Sequence, residues 1–315
     1  MQQAPLILVC DHRGEGLAET ALALEASGLR VIVSGSLRQT LDNLARGEAA
    51  LAMIDPLAGG GALELEALSR ARPPDAQVPI LVVVDARDPL PAAVATRALG
   101  SLPWDLVRRD APPQEYAMRV QLLLAHARRL AEMSELRHRA SHDDRTDLLR
   151  PASFQERLQE HFSAAQRHGL DLALLILDLD AFGQINKQHD HTVGDRLIER
   201  VGDVIRAALR TEDVAGRLGG DEFAVLLPYT RKVDAAHVAQ RLLEEIAALS
   251  GPLPGARSDV QVSASIGFET FDGTDMDSVE TLRLHAEEAL QQAKRRGGNQ
   301  GAYYRSLAAE GGGPT

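Results

Sequence analysis

Cys10 is the single cysteine in a sequence of 315 residues. One thiol excludes an intramolecular disulfide and a thiolate metal cluster and suits a reducing compartment; within a strand-like run it reads as a plain buried side chain. A basic footprint is missing too. The formal net charge is −11, which argues against a general binder of phosphate backbones, so no nucleic acid is expected as a partner and any nucleotide must be held by local contacts. No apolar run approaches the roughly 18 residues of a membrane span, and the opening MQQAPLILVCDH lacks the basic start of a signal peptide. These absences lead to the expectation of a cytoplasmic protein with no membrane span. No internal repeat stands out. What the chain does have is 44% hydrophobic residues, enough at this length for two ordinary cores, so two domains are expected.

In the first half, the β-rich runs PLILVC, LRVIVSG, AALAMID, VPILVVVD and WDLVRR alternate with stretches of helical spacing such as GLAETALALEASG. That repetition predicts a flavodoxin-like, doubly wound parallel sheet over residues 1–114. From Glu115 to about Ser141 there is no Gly or Pro, and Val120, Leu123, Ala127 and Leu130 recur at three- and four-residue spacing. Residues 115–141 therefore read as a long linker helix with a short dimerisation stripe. Charges then crowd at HRASHDDRTD, where a second domain, 142–306, begins; the tail 307–315 is expected to be disordered.

The second half has another order. DLALLILDLD is a buried strand, Leu197, Ile198, Val201, Val204, Ile205 and Ala208 mark an amphipathic helix, and VAGRL and FAVLL flank Gly-Gly-Asp-Glu as a hairpin. A helix through Val238, Leu242 and Ile246, a strand at DVQVSASIGF and a helix through Leu282, Ala286, Ala289 and Ala293 follow. This βαββαβ order predicts a ferredoxin-like sheet with helices on one face. Asp178 and Asp180 sit two apart near a strand end and so share a face, and the hairpin tip carrying Asp221 and Glu222 can lie beside them. Carboxylates from neighbouring strands can hold magnesium (or manganese), which takes oxygen ligands and leaves positions open for phosphates. Singly, each pattern is also what a solvated strand end or an ordinary hairpin looks like; their order singles them out.

From about Asp143 to Tyr304 the sequence resembles the GGDEF diguanylate cyclases. DLDAFGQINKQHDHTVGD is similar to the family's D-x-D-x-F-K-x-x-N-D-x-x-G-H-x-x-G-D block, RLGGDEF is its signature, and SASIGF and AEEALQQAK resemble its later strand and helix. The resemblance implies a palm-type domain that joins two GTP into cyclic di-GMP with release of pyrophosphate, two domains facing each other in a homodimer. It places Asp178, the carbonyl of Leu179 and Asp221 at metal positions, with Asp221 also accepting the proton of the attacking 3′-hydroxyl and Glu222 beside the ions. Asn186, His191, Asp195 and Lys294 fall at substrate-contacting positions, Asn186 and Asp195 on the guanine edge. For His191 an N-cap or a buried hydrogen bond is an equally open reading. The RTED stretch resembles the family's R-x-x-D inhibitory site for cyclic di-GMP, with Arg210, Asp213 and the accessory Arg217; an arginine fork suits guanine O6 and N7.

Departures accompany these matches. The family's lysine after Phe182 is Gly183, the glycine before His191 is Asp190, and the arginine of A-K-x-x-G-R-N is Gly298, although Lys294 is kept. The early D-x-L-T-G-L-x-N-R motif survives only as DRTDLLRP. The first domain resembles, more loosely, a response-regulator receiver. Asp55 stands at the phosphoacceptor position and Asp11 at one magnesium-binding acid, but Cys10 replaces the second acid, Val84 or Asp85 the hydroxyl residue and Arg109 the lysine. A pseudo-receiver that sets the dimer through the linker helix is the preferred reading, with a histidine kinase or other signalling partner as the alternative input. The expected function is a diguanylate cyclase; the rival is a degenerate domain that binds GTP or cyclic di-GMP without turnover.

Overall fold

The computed structural model describes residues 4–11, 17–55, 61–71, 78–84, 92–100 and 102–306; the tail expected to be disordered, and Asp85, lie outside them. The chain divides into two compact units, Met1–Leu136 and Arg137–Thr315.

In the first unit, strands β1 (Leu6–Asp11), β2 (Arg30–Ser34), β3 (Ala49–Asp55), β4 (Ile80–Val84) and β5 (Trp104–Arg108) alternate with helices α1 (Ala18–Ala26), α2 (Leu37–Ala45), α3 (Gly61–Ala71), α4 (Ala92–Leu99) and α5 (Pro113–Ser141). All strand pairs are parallel in the order β2-β1-β3-β4-β5, the doubly wound arrangement expected. Strand alternation divides the core. Ile7 and Val9 face Leu24 of α1 and Tyr116, Val120, Leu123 and Leu124 of α5, whereas Leu8 and Cys10 face Leu44, Leu65, Leu68 and Leu99. Cys10 is a buried thiol outside any disulfide, and burial raises its pKa.

One expectation changes here. Val120 and Leu123 do not form a free stripe, because both are packed into this core. The exposed apolar residues of α5 are Met118, Leu122, Met133 and Leu136, at 54%, 62%, 47% and 65% exposure. At about 100° per residue they fall within an arc of roughly 60° on the opposite side of the helix.

The second unit runs α6 (Pro151–His168), β6 (Leu172–Leu179), α7 (Phe182–His189), α8 (His191–Ala208), β7 (Val214–Gly219), β8 (Glu222–Pro228), α9 (Lys232–Ala247), β9 (Ala264–Phe271), α10 (Val279–Arg295) and β10 (Gly301–Tyr303). Its sheet order is β10-β9-β6-β8-β7, with β6 antiparallel to β8 and β9 and β10 parallel to β9. The four strands β9-β6-β8-β7 keep the expected ferredoxin-like order. Helices α6 and α7 and strand β10 are additions, and β9 starts at Ala264 rather than near Asp259. Pro151 in the first turn of α6 and Gly169 as its left-handed C-cap at φ 61° were the local signals for that helix.

Helices cover both faces of this sheet, not one. Leu175, Leu177, Val225 and Leu227 pack against α8 and α9, while Leu174, Ile176, Ala224 and Leu226 pack against α6 and α10. Strand β6 is buried at every position, so its unbroken apolar run reflects two covered faces. At about 1.5–3 kcal/mol for each large side chain removed from water, this strand anchors the domain and fixes what stands at its C-terminal end.

Candidate active site

The RLGGDEF hairpin closes onto that end. Between β7 and β8 the register shifts at Arg217/Gly219, and Gly220 takes φ 51°, a left-handed conformation that favours glycine. Glu222 pairs across the sheet with Asp178, which pairs on its other side with Ser265. The Leu179 amide donates to the Asp221 carbonyl at 3.3 Å. Folding thus brings Asp178, Asp221 and Glu222 together. Asp178 is 7% exposed, and burial raises its carboxyl above the ordinary range; the charges of Asp221 and Glu222 add to the rise, and Lys294 offsets part of it. The Lys294 ammonium, delivered by α10, sits 2.6 Å from the Asp178 carboxylate.

Asp180, by contrast, is engaged in structure. Its carboxylate accepts from Ser263 Oγ at 2.8 Å, Ser265 Oγ at 2.7 Å and the Asn299 amide at 2.8 Å, tying the approach to β9 to the turn after α10. The D-x-D pair therefore splits into one carboxylate facing Lys294 and one holding the scaffold.

Asn186, His191 and Asp195 lie on α7 and α8. Asn186 Oδ1 is buried without a hydrogen-bond partner, and a Cβ on Gly194 would meet it at 1.9 Å, so glycine is needed there for Asn186 to lie against α8. His191 is exposed and begins α8, which rules out the buried hydrogen bond. Its predecessor Asp190, the α8 N-cap, adopts φ 97° and ψ 153°, a region suited to the glycine this position has replaced. Asp195 accepts from Arg145 Nη1 at 2.5 Å, a residue that the sequence reading did not single out. The signal was its place in DRTD, where the family motif has leucine.

The remaining candidates separate into two groups. Arg210 is exposed, and its amide donates to the Asp213 carboxylate at 2.9 Å; burial raises the Asp213 carboxyl. Arg217, assigned to the same inhibitory site, has a side chain only 12% exposed and pairs with Asp143 at 3.1 Å. It also donates to the Gly220 carbonyl from Nε at 3.1 Å and from Nη2 at 2.8 Å. Asp143 in turn accepts from the Thr146 amide and hydroxyl at 3.0 and 2.8 Å. Arg217 thus braces the signature turn against the DRTD turn. In the first unit, Asp11 and Asp55 are paired at the ends of β1 and β3, and the Asp55 carboxylate, 2% exposed, forms an ion pair with the Arg109 guanidinium.

No group of three or more His, Cys, Asp or Glu side chains among the described residues is arranged to hold a metal ion. The site offers less than that: a buried carboxylate at Asp178, a neighbouring carboxylate at Asp221 and a backbone carbonyl. An all-oxygen, electronegative set of this size fits a hard divalent cation whose other positions are filled by phosphate oxygens and water.

Comparison with known proteins bears on this geometry. A family model described as "Diguanylate cyclase, GGDEF domain" matches residues 140–300. The bifunctional diguanylate cyclase/cyclic di-GMP phosphodiesterase MucR of Pseudomonas aeruginosa is 36% identical over 172 residues, 55% of this chain and 24% of that protein. The diguanylate cyclase DgcP of the same species is 31% identical over 192 residues, 58% of this chain and 28% of its own length. The chain therefore spans about a quarter of either relative. Among solved structures, the coiled coil and GGDEF domain of DgcB from Caulobacter crescentus, in complex with c-di-GMP, aligns with a TM-score of 0.54 at 25% identity, covering 59% of this chain and 97% of that one.

Proposed function

Because this chain belongs to the family of diguanylate cyclase GGDEF domains, with residues 140–300 matched by its model, we propose that it condenses two GTP into cyclic di-GMP with release of pyrophosphate. The observation that carries the reading is the convergence of Asp178, Asp221 and Glu222 at the end of β6, with Lys294 2.6 Å from Asp178.

Asp178, the Leu179 carbonyl and Asp221 would hold magnesium or manganese, which supplies charge neutralisation and polarisation of the phosphates. The residues do the rest. Asp221 accepts the proton of the attacking 3′-hydroxyl, Glu222 keeps the hairpin electronegative, and Lys294 exchanges its contact with Asp178 for a phosphate oxygen. Asn186 and Asp195 present acceptors to the guanine N–H donors, which adenine cannot match. The hydroxyl and the phosphate must come from two nucleotides, so two copies of the chain have to meet. The exposed stripe Met118, Leu122, Met133 and Leu136 supports a homodimer through α5.

Gly183 and Gly298 replace two family cations, so turnover is slow but real. Product inhibition through Arg210 and Asp213 follows the same reading, with Arg217 shaping the turn behind them. For the first unit, the pseudo-receiver reading rests on Cys10 and on Val84 or Asp85, which stand where an intact receiver has an acid and a hydroxyl; the Asp55–Arg109 ion pair takes the place of that receiver's lysine contact.

The test is incubation of purified protein, freed of co-purified cyclic di-GMP, with GTP and magnesium, followed by mass spectrometry. Product from wild type and none from Asp221→Ala is the expected result. Equal yields from both, with GTP still bound, would leave only a nucleotide-binding module.

A further inference from the structure

Two acceptors on the α7–α8 surface are in opposite states. Asn186 Oδ1 is buried with no hydrogen-bond partner. Asp195 Oδ1, one residue beyond the Gly194 that underlies Asn186, is held by Arg145 Nη1 at 2.5 Å across 50 residues of sequence. The arginine comes from the DRTD turn, whose form does not depend on its side chain: Asp143 Oδ1 fixes that turn through the Arg145 and Thr146 amides at 3.3 and 3.0 Å. Its guanidinium therefore has one described carboxylate partner, and that partner is a residue assigned to reading the base.

Resting on the cyclase reading, we propose that Arg145 is a specificity-determining residue that competes with the guanine base for Asp195. Guanine presents N1–H and an exocyclic amine side by side, and a carboxylate takes both by offering both oxygens. With Oδ1 already accepting from Arg145, only its remaining lone pair is open to the base, so the two-oxygen contact reaches full strength only when the guanidinium moves aside. Both partners are partly exposed, 46% and 41%, so the arginine can swing into water. An exposed pair of this kind shifts an equilibrium by roughly 1.5- to 5-fold. Hypoxanthine lacks the exocyclic amine and needs one oxygen only, so the arginine handicaps guanine more than hypoxanthine. Arg145 thereby weakens nucleotide affinity and narrows the preference for GTP.

Calorimetry on the full chain with magnesium tests this, using the 3′-deoxy triphosphates of guanosine and inosine, which cannot condense. Arg145→Leu, the residue of the family motif, and Arg145→Gln should each tighten 3′-deoxy-GTP by about two- to fivefold and leave the inosine analogue nearly unchanged. Unchanged or weaker guanosine binding in both variants overturns the proposal and makes Arg145 a neutral or nucleotide-holding residue. Asp195→Ala separates the two levels. If it fails to weaken 3′-deoxy-GTP, or wild type binds none, the guanine reading itself is wrong and the Arg145 proposal falls with it.

Discussion

A Cβ on Gly298 would stand 2.9 Å from Oδ1 of Asp180, whereas one on Gly183 would meet nothing within 4 Å. The two positions where family cations are replaced are therefore not equivalent. Gly183 lies exposed in the first turn of α7, in open space. Gly298 is at φ 73° against the carboxylate that holds the turn after α10.

The first consequence concerns rate. Gly183→Lys should raise cyclic di-GMP formation by about tenfold, the effect of roughly 1.4 kcal/mol of added transition-state contact. Gly298→Arg should bring no gain and should cost roughly 1–3 kcal/mol of stability through its strained backbone and the displaced Asp180. Initial rates and urea denaturation of the two variants check this; a faster Gly298→Arg enzyme would show that Asp180 yields easily.

Asp190 carries a strain that can be removed. Its φ of 97° and ψ of 153° belong to glycine-only territory, so Asp190→Gly should stabilise the protein by about 1–3 kcal/mol. Chemical denaturation with an unchanged slope is the readout.

The raised Asp178 carboxyl sets a pH dependence. Its cation-holding form is the ionised one, so protons compete with magnesium and the acid limb of activity should move down as magnesium is raised. Lys294→Met removes the contact that lowers this pKa, so it should move the limb up as well as reduce the rate. An unmoved limb would show that another group controls it.

Glu269 is fully buried, its carboxyl raised chiefly by desolvation, with Arg305 Nε 3.1 Å away and the Arg305 guanidinium also paired with Asp275. Arg305→Met strands that carboxylate and lifts its folded pKa further. A folded pKa above the unfolded value contributes stability that is present at low pH and lost as pH rises through it. The variant should therefore lose more stability at pH 8 than at pH 5, measured by denaturation at both.

The dimer stripe is tested by charge. Leu122→Glu with Leu136→Glu should convert a dimer to a monomer in light scattering and reduce activity in parallel, since each condensation needs two nucleotide sites. The corresponding change at Val120 should instead unfold the first unit, because that side chain is 0% exposed in its core.

The sequence by itself determined the five parallel strands of the first unit, the long helix, and the strands and signature turn of the second, because each rests on a local period or a local turn requirement carried by consecutive residues. The blocks that carry Asp178, Asp221, Glu222, Asn186 and Asp195 stood out as spaced motifs, and the roles proposed for these residues came from the family resemblance. Only the tertiary structure decided which face of α5 is free, since the spacing from Val120 to Leu130 suits a core stripe as well as a coiled coil. It also decided that both faces of the second sheet are covered. The division of labour between Asp178 and Asp180 depends on Ser265 and Asn299, 85 and 119 residues away from Asp180. The capture of Asp195 by Arg145 and of Asp143 by Arg217, across 50 and 74 residues, belongs to the same class. A carboxylate's role follows from what neutralises it, and those partners arrive only when the chain has folded.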